Sequence, residues 1–179
     1  LNVGWNHVIS DTSNLDVRVF YDQRDRRDLA PETERDTFDI DLQHHFKLWS
    51  RHDIVWGFGI RNSSDDTVGS ETLSLNQADR SQRLYGAFVQ DEIRVLGDEV
   101  FLTLGTKVEK SNFSPSNDFE WSPNLRLSWL ISDTNTLWGS VARAIRTPSR
   151  IELDGRVLGF VDPPFSATNP DPVPFALTI

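Results

Sequence analysis

The stretch Phe38-Asp39-Ile40-Asp41-Leu42-Gln43-His44-His45-Phe46-Lys47-Leu48 decides the fold. Phe38, Ile40, Leu42, Phe46 and Leu48 are apolar, with His44 the one exception; Asp39, Asp41, Gln43, His45 and Lys47 between them are polar or charged. Successive side chains of a β-strand point to opposite faces, so this segment carries one apolar and one strongly polar face. About ten residues of such alternation is the length of a tilted strand that crosses a bilayer. A sandwich strand also alternates, but rarely over so long a run. The expected fold class is therefore all-β: an antiparallel up-and-down meander of about eight strands, part of a larger transmembrane β-barrel.

The pattern recurs. Leu15, Val17, Val19 and Tyr21 alternate with Asp16, Arg18, Phe20 and Asp22, and Ile54, Trp56, Phe58 and Ile60 with Val55, Gly57, Gly59 and Arg61. Val100, Leu102, Leu104 and Val108 oppose Thr103, Lys107 and Glu109. Trp121, Leu125, Leu127, Trp129 and Ile131 oppose Ser122, Asn124, Arg126 and Ser128. Strands are expected at 2–9, 14–24, 36–48, 53–62, 83–95, 99–110, 120–131 and 135–146. Short polar turns at 10–13, 50–52, 96–98 and 132–134 alternate with longer connections at 24–35, 63–82 and 111–119. An outer-membrane barrel sorts its joints this way, short turns periplasmic and long loops extracellular. Residues 1–154 are thus expected to be barrel strands with those joints, and 155–179 a truncated, proline-rich extracellular loop. Pro163, Pro164, Pro170, Pro172 and Pro174 bar that stretch from being a central strand.

Facing then assigns roles. Phe38, Ile40, Leu42, Phe46, Ile54, Trp56, Leu102, Leu104, Leu125 and Leu127 are expected to face lipid. Trp49, Trp56, Trp129 and Trp138 each lie within a few residues of a short turn. They form an expected aromatic girdle at one membrane interface. Asp39, Asp41, Gln43, His45 and Lys47 read as a hydrated lumen wall. Neighbouring His44 and His45 fall on opposite faces and cannot chelate one metal together. Ser64-Asp65-Asp66-Thr67 lacks the spaced ligands of a calcium loop. No nucleophile elbow, phosphate loop or His-Glu-x-x-His motif occurs, so no catalytic residue, metal site or cofactor is expected.

Composition agrees. A net charge of -9 disfavours nucleic acid as a partner. An apolar content of 37% suits a barrel whose lumen, turns and loops are polar. No run of about 18 apolar residues encodes a membrane-spanning helix. Absence of cysteine excludes disulfides, thiolate chemistry and Cys-ligated zinc. The chain opens in a strand-like pattern without initiator Met or signal segment, and reads as an internal piece of a longer protein.

One region carries a more specific signal. Arg83-Leu84-Tyr85-Gly86-Ala87-Phe88-Val89-Gln90-Asp91-Glu92-Ile93, followed by Leu102-Thr103-Leu104-Gly105-Thr106-Lys107-Val108-Glu109, resembles the middle barrel of TonB-dependent outer-membrane receptors. There an aromatic-x-Gln-Asp-Glu strand, a tight turn and a Leu-Thr-x-Gly-x-Arg/Lys strand recur in that order. Ser122-Pro123-Asn124-Leu125-Arg126-Leu127-Ser128-Trp129 is similar to the same family. So is 137–149, where Arg143-Ala144-Ile145-Arg146-Thr147-Pro148 resembles the family's Arg-aromatic-Arg-x-Pro segment, with Ile145 in the aromatic position. The resemblance is strong over 83–153 and only pattern-level over 1–82. It implies a barrel of about 22 strands around a plug domain. Such a receptor imports a scarce ligand (a siderophore, haem, cobalamin or glycan) with energy from the TonB coupling protein. The expected partners are outer-membrane lipid, the rest of the barrel and its plug, and the expected location is the bacterial outer membrane. The resemblance leaves the imported ligand and its contact residues unknown.

Two other readings compete. An outer-membrane β-barrel hydrolase would need Asp, His and Ser converging within hydrogen-bond reach. A secreted β-sandwich binding module would need a dry core between two sheets.

Overall fold

The computed structural model describes residues 1–27, 32–70, 73–114, 118–161 and 173–178. Eight strands form one antiparallel sheet in chain order: β1 (Asn2–Ser10), β2 (Ser13–Arg26), β3 (Glu32–Leu48), β4 (His52–Val68), β6 (Asp79–Leu96), β7 (Val100–Ser111), β8 (Glu120–Ser132) and β9 (Asn135–Ala142). A second sheet holds β5 (Leu73–Leu75), β10 (Gly155–Val161) and β11 (Val173–Thr178) in the order β11-β10-β5. One short helix, α1 (Arg150–Asp154), precedes β10. The chain divides into two compact units. The first comprises Leu1–Tyr21, Phe38–Asn62 and Gln82–Thr147; the second comprises Asp22–Thr37, Ser63–Ser81 and Pro148–Ile179.

The meander is the one that alternation predicts, and its sheet is open. Its order ends at β1 and β9, and among the described residues no ladder joins those two strands. Register fixes the faces. Leu102 pairs with Ile93 and with Leu127, and Leu104 with Leu125, so these side chains share a face. Thr103 pairs with Arg126, Lys107 with Ser122 and Glu109 with Glu120 on the other. In β3 the polar side is fixed by Asp39, whose carboxylate accepts from Arg61 on β4. A Cβ built on Gly57 would meet the Phe88 ring, and Phe88 pairs with Lys107. Polar face therefore continues polar face from β3 to β8.

Little of this sheet is buried. Among the described residues Phe113 is the one buried apolar side chain, whereas Phe38, Trp56, Leu104, Leu125, Leu127 and Trp129 are all exposed. Among the described residues of this sheet no apolar core of the kind a sandwich requires is present.

Strands run further than apolar alternation indicates. β2, β3, β4 and β6 extend into stretches expected to be loops, while β9 stops at Ala142. Polar cross-strand pairs carry these extensions: Gln23 with Glu34, Thr37 with Ser63, and Ser64 with Ser81. Such pairs stabilise a ladder without writing a hydrophobic period. The loop expected over 155–179 is corrected in part, because 155–161 and 173–178 are strands. Pro174 lies in β11 at the sheet edge, the position where sheets admit proline. Pro163, Pro164, Pro170 and Pro172 lie outside the described residues.

Candidate functional site

The first unit carries a concavity of about 540 Å³ with a mixed polar and apolar lining. Asp39, Asp41 and Gln43 of β3 line it with Arg18, Arg61 and Lys107. Alternation puts these β3 residues on one side of the strand, and the sheet brings cations of β2, β4 and β7 to meet them. Arg61 Nε donates to Asp39 Oδ2 at 2.6 Å, and Lys107 Nζ lies 2.8 Å from Glu109 Oε1. Asn6 and Asn14 both donate to Asp16, at 2.8 and 2.9 Å. Charges of both signs are paired locally, so the wall is mixed in sign rather than selective for one.

Two glycines shape this wall. A Cβ at Gly57 would stand 2.5 Å from the Leu42 carbonyl oxygen and 2.8 Å from Phe88 Cε1. At Gly59 it would stand 2.5 Å from Asp41 Oδ1. These positions must be small because neighbouring strand and side-chain atoms occupy the space.

The histidines separate as alternation requires. His45 bonds Asn14 at 3.0 Å through Nδ1 and contacts Asp53 through Nε2, so both ring nitrogens are occupied. His44 lies between Ser13 and Trp56. Trp56 Nε1–H donates to His44 Nδ1 at 3.1 Å, which leaves the ring proton of the neutral imidazole on Nε2. That Nε2–H then donates to Ser13 Oγ at 2.9 Å. In that tautomer His44 donates to Ser13 rather than accepting from it, so it does not serve as a base for the hydroxyl. His52 Nδ1 meets Asp91 Oδ2 at 2.7 Å. Asp91 pairs with Leu104 and so lies on the apolar face, where His52 hydrogen-bonds its carboxylate. Among the described residues no group of three His, Asp or Glu is arranged to hold a metal ion.

Phe38, Ile40, Leu42 and Phe46 alternate in β3, as do Ile54 and Trp56 in β4; on the apolar side Leu102 of β7 pairs with Leu127 of β8 and Leu104 with Leu125. Of the four tryptophans grouped as a girdle, Trp56 and Trp129 share that side, and Trp49 sits in the β3–β4 turn, 80% exposed. Trp138 does not. It pairs with Ser128, which puts it on the polar face beside Arg126. Nearness to a turn gives height along the strand but not facing, and Gly139 and Ala142 leave the period of β9 unreadable.

Sequence reasoning missed a cluster in the second unit. Arg150 is buried, donating from Nε to Asp65 at 3.1 Å, from Nη1 to Asp154, and from Nη2 to the Gln77 carbonyl at 2.8 Å. A signal existed: Ser149-Arg150-Ile151-Glu152 is a capping box, and both of its hydrogen bonds form.

The family model described as TonB dependent receptor-like, beta-barrel matches residues 1–173. The chain belongs to that family. Over 89 residues, 50% of its length, it is 28% identical to a protein of Acinetobacter baumannii named "Probable TonB-dependent siderophore receptor PirA", of which the match covers 11%. Among solved structures, the siderophore receptor PirA from Pseudomonas aeruginosa is similar over 83% of the chain, with a TM-score of 0.64 at 16% identity. That likeness is one of fold. The match takes in 28% of that chain, so the present chain spans a minor part of the receptors it resembles.

Proposed function

We propose that this chain is a wall segment of an outer-membrane receptor that imports a scarce ligand, with a ferric siderophore as the cargo class. The observation that carries the reading is the two-faced open sheet. One side exposes Phe38, Leu104, Leu125 and Leu127; the other carries the paired charges of Asp39, Arg61, Lys107 and Glu109. Lipid accepts the first side, and a hydrated lumen with its plug domain accepts the second. The siderophore class is supported by the two similar proteins, a probable siderophore receptor and a siderophore receptor. In this reading the short turns are periplasmic, the long connections extracellular, and the energy for uptake comes through TonB from the inner membrane.

Trp49, Trp56 and Trp129 form the headgroup girdle, where indole rings bridge apolar and polar layers. Trp138 is a lumen residue. The test is uptake by the full-length receptor in cells lacking their own siderophore receptors. Radiolabelled iron delivered as ferric siderophore enters only cells that carry the receptor and functional TonB. Uptake that is the same without the receptor, or independent of TonB, overturns the proposal.

A further inference from the structure

The second unit contains a buried ionic cluster. Its buried side chains among the described residues are Asp65, Thr67, Arg150 and Asp154, all polar. Arg150 stands at the centre, 8% exposed, and its guanidinium uses all three nitrogens. Asp65 receives a second cation from Arg35 at 3.0 Å, and Asp154 a second from Arg80 at 2.5 Å. Asp65 comes from β4, the Gln77 and Ala78 carbonyls from the segment before β6, and Arg150 and Asp154 from α1. Backbone bonds run alongside: Thr67 N–H to the Ala78 carbonyl at 2.9 Å and Asn76 N–H to the Asp154 carbonyl at 2.8 Å.

An apolar core tolerates small shifts, because it is non-directional. A guanidinium fork does not, since each N–H needs an acceptor in one direction. Burying these charges gains little net stability over apolar packing, while loss of one partner strands the others without water. An ionic centre of this kind therefore defines geometry and can be undone by a single change. The residue that defines it is Arg150.

We propose that Arg150 is a positioning residue: it clasps the segment 149–157 to the segment 65–80 and thereby sets the shape of the ligand-admitting end of the receptor. The functional half of this proposal rests on the receptor reading given above; the clasp itself does not.

Hydrogen exchange of the full-length receptor tests it, comparing wild type with Arg150→Ala, Arg150→Lys and Asp154→Asn. Lysine keeps the charge but holds its donors on one nitrogen and lacks the planar fork that reaches acceptors on separate segments, so it should fail to rescue. In all three variants the amides of Thr67 and Asn76, and peptides across 149–157, should exchange faster, on the order of tenfold or more for Arg150→Ala. Peptides within β7 and β8 should keep wild-type rates, which also reports that each variant folds. Unchanged exchange in 65–80 and 149–157, or equal acceleration throughout the barrel, overturns the clasp. Ferric-siderophore affinity measured on the same samples should fall in Arg150→Ala and Arg150→Lys at unchanged surface abundance. Wild-type affinity alongside accelerated local exchange overturns the positioning role. Should the wild type bind no ferric siderophore while the local exchange effect is present, the functional reading fails and the clasp stands.

Discussion

The Arg126 guanidinium lies 5.3 Å from the centroid of the Trp138 ring, on the same side of the sheet as Ser128 and Lys107. This cation–π contact puts Trp138 on the polar face of the sheet. A double-mutant cycle of Arg126→Ala and Trp138→Ala, read from unfolding of the full-length receptor, should return a coupling of about 0.5–1 kcal/mol. Zero coupling contradicts the contact.

The same geometry separates two tryptophans that sequence position groups together. Trp129 pairs with Val100 and Leu137, among apolar neighbours, whereas Trp138 pairs with Ser128. Trp129→Lys should reduce folding into lipid vesicles more than Trp138→Lys. An equal loss would place both at the same interface.

Facing predicts a sharper contrast within β3. Leu42→Arg puts a charge on the apolar side and should cost roughly 2–4 kcal/mol near mid-bilayer, while Asp41→Arg on the polar side should cost much less. The yields of the two variants folded into vesicles, compared with wild type, measure the difference. Matching yields would refute the two-face arrangement.

Gly57 and Gly59 should not respond alike to alanine. At Gly57 the added Cβ meets a main-chain carbonyl 2.5 Å away, which moves only with the strand. At Gly59 it meets Asp41 Oδ1, the free end of a side chain. Gly57→Ala should destabilise by about 1–3 kcal/mol, the usual cost of overpacking, and Gly59→Ala by less. Urea unfolding of the full-length receptor orders the two.

How much of this was legible depended on which force wrote the signal. Where a strand face must be apolar, as at Phe38, Ile40 and Leu42, period two is explicit and the faces follow from it. At Glu34, Ser63, Ser64 and Ser81 the strands are held by polar pairs, and polar residues at every position read as loop. β9 failed at Trp138 because Gly139 and Ala142 carry no facing information. The Arg150 cluster joins residues 85 positions apart, Asp65 and Arg150, and such a pairing has no local trace. Its helix did have one in Ser149 and Glu152, although five residues of helix between strand patterns are easily passed over.

The central claim is that one side of this sheet meets lipid and the other does not. Nitroxide labels placed singly along 120–132 of the full-length receptor in vesicles test it most directly. Collision rates with oxygen, which partitions into lipid, and with a polar nickel complex, which stays in water, are compared at each site. The account predicts period-two alternation, with Trp121, Leu125, Leu127 and Trp129 oxygen-accessible and Ser122, Asn124, Arg126 and Ser128 shielded from lipid. Labels at Leu125 and Leu127 that meet the nickel complex as freely as those at Asn124 and Arg126 would contradict it.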